Sequence, residues 1–313
     1  MNSDLGRYIA IISGSTFLGN ISLWSYLKKY LCKVKLCSLN IFKHLRPTLL
    51  LFLPQVAINI YVFLNKIMLG SMSTVVEAGF FDSSDKIIRM CLTLVTALTT
   101  VMMPRVASMF AKGDEEKVNE YLKIGFGIAT LFAFPIFFGI EGVASKFIPW
   151  FFGEKFIKVI PVISIEAFAI MPISFSQVLG IQYLVPIGKT NQYSKSIIFG
   201  AIINFLINIP LIYFYSAVGT AVATVISESC IAILELFFAS NNVKISLLFK
   251  EFWKPFLSSF IMYLVVKFLN GSLKVSFFYL FVEVFAGICI YTLLLIVLRY
   301  EIIRVFVKKL LKK

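Results

Sequence analysis

Nine stretches of mostly apolar sequence follow one another along the chain with only short gaps between them. They run approximately over 8–27, 47–69, 87–109, 122–141, 159–184, 195–214, 217–239, 255–270 and 275–298. About 20 residues in a helix cross the roughly 30 Å hydrocarbon core of a bilayer. Lipid offers the backbone no water, so each stretch must satisfy its own amides as a helix. The succession predicts an all-α polytopic membrane protein of about nine transmembrane helices. Composition agrees with it. Of 313 residues 59% are hydrophobic, 33 are Phe and only 15% are charged. A soluble domain carries roughly a quarter charged residues. A water-soluble globule of this length has too much surface to bury so much apolar sequence, and disorder is excluded by the same numbers.

The chain carries 30 Lys and Arg against 16 Asp and Glu, a net charge of +14. In a soluble protein this would suggest nucleic acid; here its distribution along the chain decides. Lys28, Lys29, Lys33, Lys35, Lys43 and Arg46 fill the gap after the first stretch, and no acid accompanies them. Arg105, Lys112, Lys117 and Lys123 fill the third gap, Lys189 and Lys195 the fifth, and Lys244, Lys250 and Lys254 the seventh. Arg299, Arg304, Lys308, Lys309, Lys312 and Lys313 crowd the tail. Most basic residues thus occupy alternate gaps. The positive-inside bias places those gaps and the C-terminus in the cytoplasm. Nine spans then put the N-terminus outside. Residues 1–7 are weakly charged and lack the features of a signal peptide. The charge reports topology, and no nucleic-acid partner is expected.

Metal and enzyme chemistry have little support. Cys91, Cys230 and Cys289 lie in spans, where Cys behaves as a small hydrophobe. Cys32, Cys37 and His44 sit in the basic gap without zinc-site spacing. No phosphate loop, nucleophile elbow or metalloprotease helix occurs, and Gly188-Lys189-Thr190 lacks the rest of a P-loop. No catalytic residue, metal or cofactor is expected.

Polar groups inside spans are costly and therefore informative. At 100° per residue Gln55, Asn59 and Lys66 fall within an arc of about 40° on the second span. They read either as a wall of an aqueous cavity or as interhelical hydrogen bonds with a snorkelling lysine. Asp82, Asp85, Lys86 and Arg89 mark the outer approach to the third span; most read as interfacial charges, with Arg89 the candidate to meet an anion. Glu166 in the fifth span can carry a proton or Na⁺, or pair with a base; Gln177 and Gln182 follow it. Gly200, Asn204 and Asn208 recur at i+4 on the sixth span, as do Gly219, Ala223 and Ser227 on the seventh, a ridge that admits a close neighbour. Glu228 is expected to face protein, Glu235 to be solvated at the interface, and Glu283 has no evident partner. Pro54, Pro104, Pro135, Pro161, Pro172 and Pro210 predict bent helices. Bent helices around a polar cavity suit a transporter that rocks between two openings.

Five passages carry a more specific resemblance: "STFLGNISLWSYLKKYL" (15–31), "FLPQVAINIYVFLNKIMLG" (52–70), "VMMPRVASMFAKGDEEKVNEYLK" (101–123), "VLGIQYLVPIGKTNQYSKS" (178–196) and "NFLINIPLIYFYSAVGTAVATVISE" (204–228). Together they resemble the bacterial polysaccharide (oligosaccharide) flippases often called Wzx, of the multidrug/oligosaccharidyl-lipid/polysaccharide exporter superfamily. The resemblance implies two six-helix lobes followed by two further helices. The nine spans match helices 6–14 of such a 14-helix plan. Residues 1–27 are then the last helix of an otherwise missing first lobe, 28–46 a basic cytoplasmic linker, 47–239 the second lobe, and 240–313 two additional helices and a basic tail. The implied substrate is an undecaprenyl-diphosphate-linked oligosaccharide, turned across a bacterial cytoplasmic membrane for capsule, exopolysaccharide or O-antigen assembly. Membrane lipid, a coupling ion (H⁺ or Na⁺) and a polysaccharide polymerase are the implied partners. The chain is read as such a flippase or its C-terminal part. Where the family often has an acid before the lysine, this chain has Asn65-Lys66, which is expected to leave Lys66 freer to present its charge. The alternatives are a multidrug or other lipid-linked substrate exporter of the same superfamily, or a truncated and inactive product. A membrane-bound polymerase or glycosyltransferase would need a sizeable loop, and every gap here is short.

Overall fold

A computed structural model describes residues 2–27, 41–240, 243, 245–273 and 275–304. Cys32, Cys37 and the basic residues of 28–40, Lys244, the side chain of His44, and the tail lysines 308–313 lie outside the described residues. All regular structure among the described residues is helical. The chain divides into two compact units, Met1–Thr48 and Leu49–Lys313. The first holds helix α1 (Asn2–Leu27) and the start of α2 (Ile41–Met72). The second holds the rest of α2, then α3 (Val75–Ala111), α4 (Glu115–Phe152), α5 (Val159–Glu166), α6 (Ile170–Ser176), α7 (Thr190–Ser240), α8 (Ile245–Phe249), α9 (Trp253–Ser272) and α10 (Phe277–Val297). Seven helices among the described residues are long and apolar enough to cross a membrane; α1 is not among them.

One of the seven is two passes. α7 counts 51 residues, which as a straight helix would reach ~77 Å, over twice the hydrocarbon thickness. It folds back at Ser216, whose backbone stands at φ 50°, ψ −126°. Across the fold Asn204 Nδ2 donates to Ser227 Oγ (3.2 Å), Gly200 receives Ile231, and Ser196 Oγ lies 3.0 Å from Glu235 Oε1. Contacts four residues apart on one arm meet positions four apart on the other, in reverse order. This is an antiparallel hairpin of 190–215 against 217–240. Gly219 makes the turn possible, because a Cβ there would strike the Leu211 carbonyl. The sequence separation of 195–214 from 217–239 coincides with this turn.

The fifth span is broken rather than merely bent. α5 gives way to a 3₁₀ turn at Ala167–Ala169, α6 follows, and Gln177–Leu184 is π-helical. Pro172 lacks an amide hydrogen for the ladder just after the 3₁₀ turn, whereas Pro161 sits in the first turn of α5, where none is needed. A π-helical run is rare and tends to occur at functional positions. Elsewhere the ends are capped conventionally. Thr74 Oγ1 accepts from Glu77 N and Asp114 Oδ1 from Lys117 N, both at 3.1 Å. The Lys117 side chain holds the Asp114 carboxyl below the usual carboxylate range.

The chain returns to two ends. At one, Lys123 pairs with Glu301 (2.7 Å) and Lys254 Nζ donates to Arg299 O. Tyr300 Oη donates to Gly127 O there (2.8 Å), and burial pushes its hydroxyl up to about 12. This is the basic end. At the other, Ser73 Oγ donates to Ser216 Oγ (3.0 Å) and Lys158 pairs with Glu77 (3.5 Å). This is the hairpin end.

α9 and α10 lie along α4. Phe134 and Phe138 of α4 meet Phe252 and Phe256 at ring distances of 4.8 and 5.7 Å, edge to face. Gly142 and Gly287 both receive Val266, so the three helices approach closely. Glu283, without a partner in the sequence reading, is fully buried here and does have partners. Asn270 Nδ2 donates to its Oε2 (2.8 Å), Lys146 Nζ stands 3.8 Å from its Oε1, and Ser145 Oγ donates to Asn270 Oδ1 (2.9 Å). Removing one member of a buried ion pair strands the other charge, at a cost of about 3–5 kcal/mol. Lys146→Met is therefore expected to lower thermal stability in detergent by about 3 kcal/mol, and adding Glu283→Leu should recover part of it. A single variant as stable as the parent would contradict the clamp.

Candidate functional site

α2 and α3 each place a polar row on the surface of the Leu49–Lys313 unit. Gln55 and Asn59 are exposed, and Asn59 Nδ2 bonds only its own helix, at Gln55 O (2.9 Å). Lys66 is half-buried. On α3 the row runs Asp82, Asp85, Arg89, Thr93, Thr96, Thr100, within one face at 100° per residue. The apolar pattern starts the third span near 87. The helix begins at Val75, so these charges are helical, and Arg89 sits ~21 Å along α3.

Charge is paired across the two helices. Lys66 Nζ contacts Asp82 Oδ1 at 2.6 Å and Asp85 Oδ2 at 3.2 Å. Arg89 Nε donates to Asp85 Oδ1 at 2.6 Å, and Lys86 reaches Asp82 Oδ2 at 2.6 Å. Lys66 is thus not freed by Asn65. Its carboxylates come from α3 in place of its own helix, which corrects the expectation of a more available charge. Asp82 and Asp85 are structural partners, not merely interfacial charges. The burial is asymmetric. It is confined to Asp85, whose side chain is 5% exposed; Asp82 and Lys66 are alike at 30% and 27%, and Arg89 and Lys86 are 43% and 73% exposed.

Two more carboxylates stand behind this row. Glu166 is buried and its Oε2 accepts from Ser84 Oγ at 2.5 Å. Glu228 is buried and its Oε1 accepts from Tyr61 Oη at 2.5 Å. Arg89 and Asp85 lie within electrostatic reach of both. The expectation that Glu228 faces protein holds.

A neutral network joins α2 to the hairpin. Asn208 Nδ2 donates to Asn65 Oδ1 (2.7 Å) and Asn204 Oδ1 (3.0 Å). Asn65 Nδ2 donates to Thr224 Oγ1 (3.3 Å), and Asn204 bonds Ser227 as above. All five side chains are buried. Asn204 and Asn208 therefore lie inside the lobe, apart from the exposed row of Gln55 and Asn59. Gln177 is half-buried in the π-helical run, and its Oε1 has no hydrogen-bond partner among the described residues. Gln182 Nε2 donates to Tyr121 O (3.0 Å) and does not join the others.

Of the candidates read from sequence, Lys66, Arg89, Glu166 and Glu228 come together; Gln55 and Asn59 extend their surface toward the basic end; Asn204 and Asn208 form a second layer. Tyr61, Asn65, Ser84 and Thr224 were missed. Tyr61 and Asn65 are four apart on the protein-facing side of α2, a spacing that could have pointed to them. No group of three or more metal-ligating side chains occurs among the described residues.

A family model described as "Polysaccharide biosynthesis protein" matches residues 9–161. The chain is similar to the "Probable low-salt glycan biosynthesis flippase Agl15" of Haloferax volcanii, 23% identical over 245 residues, covering 78% of this chain and 51% of that protein. It is also similar to a "Putative O-antigen transporter" of Shigella dysenteriae, 24% identical over 226 residues, covering 71% and 56%. The chain spans about half the length of these curated relatives. Among solved structures, the "Lipid II flippase MurJ, inward closed conformation" aligns with a TM-score of 0.68 at 17% identity, over 91% of this chain and 61% of that one. The matches bear out the resemblance to polysaccharide flippases, and the structural likeness bears out the fold.

The two asparagines of α2 should behave differently. Asn65→Leu strands buried partners at Asn208 and Thr224, a loss of about 1–3 kcal/mol. Asn59→Leu, exposed and bonded only locally, should change thermal stability by under about 0.5 kcal/mol. Equal effects would contradict the buried network.

Proposed function

We propose that this chain, Wzx-like in sequence and MurJ-like in fold, is a flippase or the C-terminal part of one. In this reading it turns undecaprenyl-diphosphate-linked oligosaccharide units across a bacterial cytoplasmic membrane by alternating access, for capsule, exopolysaccharide or O-antigen assembly. The observation that carries the reading is the asymmetry of the ionic row. Its shared carboxylate, Asp85, is turned inward, while Arg89 and Lys86 stand outward beside it, on a surface otherwise made to face lipid.

A diphosphate group offers Lys66 and Arg89 the same charge-assisted hydrogen bonds that Asp82 and Asp85 provide in its absence. Substrate exchanges one set of anionic partners for the other, and the two cations stay paired throughout. Gln55 and Asn59 continue the polar surface along α2 toward the basic end, where sugar hydroxyls can be met. The bent and broken helices are where rocking between two openings would be absorbed. Basic gaps and the C-terminus face the cytoplasm. A coupling ion, H⁺ or Na⁺, belongs to this reading, with Glu166 and Glu228 the carboxylates adjoining the cations. Residues 1–27, 28–46, 47–239 and 240–313 serve as preceding-lobe helix, linker, second lobe and C-terminal pair. A polymerase consuming the flipped unit is the expected partner.

A multidrug exporter of the same superfamily is the second reading; it would use the carboxylates as the ligand-facing groups. The burial of Asp85, Glu166 and Glu228 behind Lys66 and Arg89 favours the anionic lipid. The test is complementation of a strain lacking its own O-antigen flippase, using the longest reading frame that contains this chain. Surface polymer should return. Lys66→Ala and Arg89→Ala should each cut it at least tenfold at unchanged protein level, about 1.4 kcal/mol or more of lost substrate interaction. No polymer while lipid-linked units accumulate would overturn the function. Full polymer from both variants would remove the cations from it.

A further inference from the structure

Glu235 lies at the other end of the hairpin's second arm from the ionic row. Its place near a span end predicts a solvated, interfacial carboxylate. It is instead 0% exposed. The first arm of the hairpin and the π-helical run enclose it. A Cβ on Gly180 would stand 2.9 Å from its Oε1 and 2.6 Å from the Tyr193 ring, so only glycine lets the π-helical run close over the carboxyl. Ser176, at the start of that run, lies beside it.

No ion pair among the described residues includes Glu235. The charged side chain that acts on it is Glu228, of the same sign, and Tyr193 is the other titratable group facing it. Its Oε2 is buried and has no hydrogen-bond partner among the described residues. An ionised carboxylate enclosed this way, with only the Ser176 and Ser196 hydroxyls beside it and no cation, would be strongly disfavoured.

The hydrogen count leads to the same place. Ser196 Oγ stands 2.8 Å from Tyr193 O and 3.0 Å from Glu235 Oε1. A hydroxyl has one hydrogen to give, and a carbonyl oxygen has none. With the Ser196 hydrogen on Tyr193 O, the hydrogen between Ser196 and Glu235 belongs to the carboxyl. We infer that Glu235 is a proton-binding site inside the hairpin, occupied in this conformation, with the O–H on Oε1 donating to Ser196 Oγ. Water at the basic end supplies the proton: hydronium gives it up, an O–H bond forms on the carboxylate, and water is left. Release reverses this and needs the hairpin and the π-helical run to part, because the ionised group has no cation to pair with where it stands. The existence of the site does not depend on the flippase reading; its use in driving transport does.

Infrared difference spectroscopy on the purified chain in detergent tests it without any substrate. At neutral pH the spectrum of the parent minus Glu235→Gln should contain the carbonyl stretch of a protonated carboxylic acid, shifted in D₂O. Ser196→Ala should keep that band and move it, since the hydrogen bond is lost and the proton is not; this arm also serves if Glu235→Gln folds poorly. Adding NaCl should leave the band in place. A difference spectrum holding only carboxylate bands would overturn the proposal. Disappearance of the acid band on adding Na⁺ would also overturn it, in favour of a metal-cation site. Complementation separately reads the flippase function, so failure of one does not imply failure of the other.

Discussion

Asp85 is the group on which the polar part of this protein depends. Its 5% exposed carboxylate is shared between Lys66 of α2 and Arg89 of α3. A cation inside a bilayer must be paired or lose its charge. One inward carboxylate here holds two outward cations, at distances of 3.2 and 2.6 Å. Without it, Lys66 would keep only Asp82, which also serves Lys86, and Arg89 would keep only the longer-range fields of Glu166 and Glu228. The joint also ties α2 to α3 near their connected ends, six residues before the end of α2 and ten after the start of α3. α2 is held otherwise by the Asn65 and Tyr61 bonds and by Met68 and Leu69 packing at the hairpin end.

The second arm of the hairpin is the spine of the lobe. Thr220, Thr224, Ser227, Glu228, Ile231 and Glu235 follow a three-to-four-residue rhythm and are all buried. From the hairpin end to the basic end they meet the amide network of α2 and the first arm, then Tyr61, then Ser196 and the π-helical run. The small residues that the sequence marked at Gly200 and Gly219 are what let the arms lie close enough for these bonds. Their cost is specificity of fit: Gly219 faces backbone at Leu211, which has no rotamer by which to yield.

Much of the fold was legible because its signal is local. A run of apolar residues of span length must be a helix wherever lipid surrounds it, and the break at 215–216 coincides with the hairpin turn at Ser216. The candidate site was legible in part. Lys66, Arg89, Glu166 and Glu228 stood out as charges in apolar runs, and they do assemble. Their partners were not legible, because pairing depends on which helices pack together. Asn65 read as the loss of an acid beside Lys66, yet the acids come from the next helix. Glu283 read as isolated, yet Asn270 and Lys146 reach it from two others. Glu235 read as solvated because it lies near a span end; the first hairpin arm and the π-helical run, which no local pattern announced, enclose it.

The central claim is that the row of Gln55, Asn59, Lys66 and Arg89 borders water and not lipid. Thiol accessibility in native membranes measures this directly, in a background whose five native cysteines are replaced by serine. Asn59→Cys and Gln55→Cys should react rapidly with a water-soluble thiol reagent. Ile60→Cys, which is exposed on the neighbouring apolar face of α2, should not. An Asn59→Cys as inert as Ile60→Cys would place the row against lipid or protein and contradict the account.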